Sequence, residues 1–122
     1  MDVPILKQGD LLIAVVQSAL SDVDLIKFQT KLSETVGRHN IRGVIVDVTV
    51  LDVIDSFAAR TLRNIAHVLR LRGAETVLVG IQPEVAFSMV QLGLSLEGVR
   101  TALDLDDGLM LLNKKRADDE RE

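Results

Sequence analysis

One short stretch of the chain gathers most of its chemically capable side chains. Asp47, Asp52, Asp55 and Ser56 come first, followed by Arg60, Arg63, His67 and Arg70. Three spaced carboxylates after an apolar run could hold magnesium and accept a phosphoryl group on aspartate. That chemistry also needs an acidic pair after an early strand and a lysine near the end of a later one. Here the first strands end in Gln17-Ser18, and no lysine lies between Lys31 and Lys114. The aspartates are therefore expected to be turn acids and helix caps, with no metal or cofactor held.

Ser56 is the one hydroxyl between Thr49 and Thr61. A hydrolytic serine would sit on a glycine-flanked elbow with a histidine in reach. Ser56 has no neighbouring glycine, and His67 falls about three turns further along the same helix. The doublet Asp55-Ser56 matches the attachment serine of acyl carrier proteins, but those are all-helical, and this serine follows a β-branched run. Two readings remain open. Either Ser56 or Asp55 is an N-cap worth about 1 kcal/mol, or Ser56 accepts a phosphoryl group at a helix start, where the dipole and free N–H groups favour negative charge. Arg60, Arg63, His67 and Arg70 recur at spacings of three, four and three, a basic stripe on one helix face. The stripe is a solvated face, a grip for acidic groups on a partner or, through Arg60, a partner for an added phosphate.

The composition narrows the classes. The chain has 122 residues, 48% of them hydrophobic, enough for one well-filled core. A net charge of −4 and 2% aromatic residues argue against nucleic acid as a partner. No cysteine is present, and the two histidines, His39 and His67, cannot build a histidine-rich metal site. Met-Asp-Val-Pro lacks a signal-peptide pattern, and no run approaches the roughly 20 apolar residues of a bilayer span. A soluble cytoplasmic protein is expected.

The elements that must position these residues follow from periodicity. Asp10 to Val16 reads as a strand, paired with Ile5-Leu6 across Gln8-Gly9-Asp10. Ser21 caps a helix with Leu25, Phe28, Leu32 and Val36 on one face, stopping near Gly37 to Asn40. Ile41 to Val48 is a doubly buried central strand. After a link over 49–55 comes a helix with Phe57, Leu62, Ile65, Ala66 and Leu69 inward, ending at Gly73. Glu75 to Ile81 is a second buried strand, Pro83 opens a helix that ends before Gly93, and Val99 to Leu103 is a short edge strand. A last helix from Asp104 carries Leu105, Leu109 and Leu112. Right-handed crossovers and a mostly parallel sheet with an antiparallel edge are implied.

The segments D-V-T-V-L-D-V-I-D-S-F, R-G-A-E-T-V-L-V-G-I-Q-P-E-V-A and Q-L-G-L, in that order, resemble the STAS domain of anti-sigma factor antagonists, from about Ile5 to Leu112. Within that family, D-S-F in place of D-S-S-G, G-I-Q-P-E-V and the ending L-E-G-V-R-T-A-L-D-L-D-D-G-L are similar to the scaffold members of the stressosome. The resemblance implies an α/β, STAS-like fold, with a four- to five-stranded mixed, mostly parallel sheet covered by about four helices. Length and composition give a single domain over 1–113, with a charged tail over 114–122 that is expected to be disordered. The resemblance implies phosphorylation on Ser56; joined to the basic stripe read from the spacing, this gives an expected kinase-docking surface of Asp55, Ser56, Phe57, Arg60, Arg63 and His67, with no catalysis expected. The implied partners are an RsbT-type serine/threonine kinase, RsbR-type co-antagonists, an RsbX-type phosphatase, a second copy in a homodimer and a large multi-subunit assembly. Ser88, in P-E-V-A-F-S-M-V, matches a second phosphoacceptor of co-antagonists, although the helix pattern equally makes it a small packing residue. The alternatives are a lone antagonist of an anti-sigma kinase, or a phosphoryl-accepting carrier component working on Asp47 or Ser56.

Overall fold

Apolar strands alternating with amphipathic helices dictate the architecture. The computed structural model describes residues 2–120. Its elements are β1 (Ile5–Gln8), β2 (Leu11–Val15), α1 (Asp22–His39), β3 (Gly43–Asp47), α2 (Ser56–Leu71), β4 (Glu75–Val79), α3 (Pro83–Gln91), β5 (Arg100–Ala102) and α4 (Leu105–Glu120). The strands lie in the sheet in chain order, β1 antiparallel to β2 and β2 through β5 parallel. This is the mixed, mostly parallel sheet with four helices expected. No helix among the described residues is long and apolar enough to cross a membrane.

Strand order sets the layers. Each parallel strand is added on the same side of its predecessor, so crossovers of one hand put α1, α2 and α3 on the same face. There Phe28, Leu32, Leu62, Leu69, Val85 and Met89 pack with Leu12, Val46 and Leu78 in the main core. On the other face α4 meets the sheet through Leu112, against Leu11, Ile45, Val77 and Val79. Arg42 anchors this arrangement by pairing with Asp10 at 2.7 Å and donating to the Leu112 carbonyl at 3.0 Å.

Local chemistry explains the helix ends. Ser21 Oγ accepts from Asp24 N at 3.1 Å while Asp24 Oδ2 accepts from Ser21 N at 3.4 Å, a reciprocal cap that starts α1. The helix runs on through Gly37 to His39, and Asn40, at φ 58°, takes the left-handed position. A Cβ at Gly37 would meet only the guanidinium of the exposed Arg72 side chain, at the end of α2, which can swing aside. Residues 114–120, in the stretch expected to be disordered, continue α4, where Lys115 pairs with Glu75 at 3.3 Å and Arg116 with Glu120 at 3.1 Å. Met1 and residues 121–122 of that tail lie outside the described residues.

One buried group is out of place. Thr76 Oγ1, on β4, is buried with no hydrogen-bond partner among the described residues. Thr76→Val keeps the branched shape and removes the orphaned hydroxyl, so it is expected to raise the unfolding free energy by about 1 kcal/mol. A urea midpoint that falls on substitution would show that the hydroxyl is satisfied in solution.

Candidate functional site

Open α/β sheets gather their sites beyond the carboxyl ends of the parallel strands. There β3 ends in Asp47, whose Oδ1 accepts from Thr49 N at 2.9 Å and from Thr49 Oγ1 at 2.6 Å. The chain turns, Leu51 N donates to Val48 O at 3.0 Å, and Ile54 plugs into the main core at 4% exposure. From the neighbouring β4–α3 connection, Gln82 Nε2 donates to Thr49 O at 2.7 Å. Gly80, at φ +82°, lies so close to Thr49 that a Cβ would overlap the threonine Oγ1. The link over 49–55 is thus braced at both ends and from the side.

That bracing decides which residue caps α2. Asp55 is extended, at φ −81° and ψ 179°, and its Oδ1 accepts from Ala58 N at 2.8 Å. Ser56 is the first helical residue, exposed, with its hydroxyl unbonded among the described residues. The cap belongs to Asp55, so Ser56 has no structural task at the helix start. The N–H groups of Ser56 and Phe57 find no acceptor among the described residues, and the positive end of the helix is open to an anion at this point. Phe57 is half-buried beside them.

The three aspartates do not converge. Asp47 is committed to Thr49, Asp55 caps α2, and Asp52 stands exposed. Among the described residues no group of three acidic or histidine side chains could hold a metal ion.

The basic stripe divides into two jobs. Arg63 Nη1 donates to Ser95 O at 3.2 Å, Arg70 Nη2 donates to Gly98 O, and His67 borders Gly98. These three tie the connection between α3 and β5 to α2. Arg60 makes no hydrogen bond or ion pair among the described residues, and it shares a cleft with Ser56, Arg63 and Ser95. Gly93 and Gly98, both at positive φ, mark this connection as turn-rich in the sequence, but nothing there says what it packs against. Ser88 lies on α3, exposed and outside the cleft, so it is no packing residue; Phe87 and Val90 beside it are exposed as well.

With this geometry in place, the comparisons with known proteins are consistent with one another. The STAS domain family matches residues 2–108. The RsbT co-antagonist protein RsbRA of Bacillus subtilis (strain 168) is 31% identical over 91 residues, covering 66% of this chain and 33% of that protein. The chain therefore spans about a third of that relative's length. A serine-to-glutamate variant of RsbS from Moorella thermoacetica superposes with a TM-score of 0.81 at 34% identity, covering 94% of this chain and 97% of the other. A chain from the molecular architecture of the stressosome, described as a signal integration and transduction hub, gives 0.74 at 32% identity, covering 93% and 98%. Matched over most of its length, and sharing the fold of these relatives, the chain belongs to the STAS domain family.

Proposed function

We propose that the chain is a stressosome scaffold and regulatory protein of the RsbS type. It holds an RsbT-type serine/threonine kinase against the surface of Asp55, Ser56, Phe57 and Arg60, and phosphorylation of Ser56 releases the kinase. RsbR-type co-antagonists co-assemble with it, as homodimers joined into a large particle, and an RsbX-type phosphatase resets the switch. The chain itself catalyses nothing.

The observation that carries this reading is the division of labour at the start of α2, where Asp55 caps and Ser56 is left exposed with two free N–H groups and Arg60 alongside. A phosphoryl group is tolerated there without unfolding the helix, and it adds about −1.5 to −2 charges to a docking surface. Likeness to RsbS across nearly the whole chain supports the scaffold role, and likeness to RsbRA supports the company it keeps. Ser88, exposed on α3, is a second and minor acceptor.

Mass spectrometry after incubation with the candidate kinase and ATP is expected to find one phosphate on the peptide carrying Ser56. Phosphate elsewhere only would sink the switch. Gel filtration with an RsbR-type partner is expected to show particles; a persistent monomer would point to a lone antagonist of an anti-sigma kinase. Arg60→Glu, at an exposed position, is expected to leave the fold intact and weaken kinase binding about tenfold, or roughly 1.4 kcal/mol. Unchanged affinity by titration calorimetry would remove Arg60 from the interface.

A further inference from the structure

Two concavities flank the start of α2. One is the cleft of Ser56 and Arg60. The other faces α1, and its floor is buried: Phe28 and Leu62 of the main core together with Leu25, none more than 6% exposed. Leu20, Leu51, Val53 and Ala58 line its sides, and Val53 is 71% exposed. An apolar side chain is thus left in solvent beside an apolar hollow.

The well, open to solvent on one side, measures about 140 Å³. An apolar cavity of about 150 Å³ takes up benzene, so one ring of that bulk fits here. Asp55 is the one polar side chain of a mainly apolar lining, so loosely held water is readily displaced from it by an apolar group. Asp55 Oδ1 is taken by Ala58 N, whereas Oδ2 makes no hydrogen bond among the described residues.

We propose that this well binds a small, mainly apolar molecule of benzene-like bulk with one cationic or N–H donor end, which Asp55 receives. The ring packs on Ala58 and Leu62, in the first two turns of the helix that begins with Ser56. A ligand and a modification would then act on the same helix end from two flanks. The site does not depend on the phosphorylation reading, because its test measures binding directly.

The full chain is titrated with benzylamine and with toluene while the methyl NMR signals of Leu20, Leu51 and Leu62 are followed. Saturable shifts are expected with both probes, with benzylamine binding at least tenfold tighter. Asp55→Asn, which still caps the helix, is expected to abolish that preference. Ala58→Phe fills the well and Ala19→Trp roofs it from an exposed position of the lining; each is expected to abolish the saturable shifts. If Ala58→Phe does not fold, Ala19→Trp alone decides. No saturable shift in the wild-type chain, or undiminished binding in folded Ala19→Trp, overturns the site. Equal affinities, or a preference that survives Asp55→Asn, overturns the part assigned to Asp55.

Discussion

Ser56→Glu is expected to weaken binding of the RsbT-type kinase by ten- to a hundredfold while leaving the domain at least as stable as before. The two halves of this result have separate causes. Ser56 is the first residue of α2 and its side chain is exposed, so a carboxylate there meets the positive end of the helix, worth about 0.3–1 kcal/mol in favour of the fold. The same charge sits on a surface proposed to dock a partner against a neutral hydroxyl. Uncompensated charge across an interface costs several kcal/mol, and about 1.4 kcal/mol is tenfold in affinity. Glutamate carries about half the charge of phosphoserine, which places the variant short of full release. Ser56→Ala supplies the complement: it is expected to bind the kinase like the wild type and to take up no phosphate. Calorimetry on both variants, with urea unfolding as a check on the fold, measures the effect. Kinase affinity unchanged in Ser56→Glu would refute release by charge.

Gly80→Ala is expected to lower the unfolding free energy by about 2–5 kcal/mol and to loosen the platform that presents Ser56. Backbone strain comes first, since φ is +82° and a side chain there costs about 1–2 kcal/mol. Overpacking comes second: the new Cβ overlaps Thr49 Oγ1 and comes within 3.2 Å of the Thr49 backbone, a clash of about 1–3 kcal/mol. Gly73 separates the two terms. It has φ +90° with nothing within 4 Å of an added Cβ, so Gly73→Ala is expected to show the strain alone, about 1–2 kcal/mol. Displacing Thr49 also disturbs its bonds to Asp47 and Gln82, so faster amide exchange over 49–55 is expected in Gly80→Ala and not in Gly73→Ala. Equal losses in the two variants would show that Thr49 yields without cost.

Much of this molecule is legible in its amino-acid sequence. Leu25, Phe28, Leu32 and Val36, spaced by three and four, are the residues α1 buries, and the valine-isoleucine run of β3 is buried on both faces. Pro83 opens α3, and Ser21 caps α1. These features depend on neighbours within about one turn of the chain, and residue types report them. The choice between Asp55 and Ser56 as the cap was not legible, because both residues cap well and one residue of register separates them. Burial of Ile54 and the clamp from Gln82 to Thr49 O set that register.

The fate of Arg63 and Arg70 was hidden for a related reason. Their partners are the backbone carbonyls of Ser95 and Gly98, and a carbonyl leaves no mark in the residue type that bears it. The sequence by itself determined the elements, the faces they bury and the one exposed-capable hydroxyl at a strand-to-helix turn. Only the tertiary structure decided that three helices share one face of the sheet and that Arg60 and Ser56 meet in one cleft while an apolar well opens beside Asp55. The physical reason is range: helix and strand patterns are local, whereas a shared face or a cleft is made where residues distant in the chain are packed together by strand order.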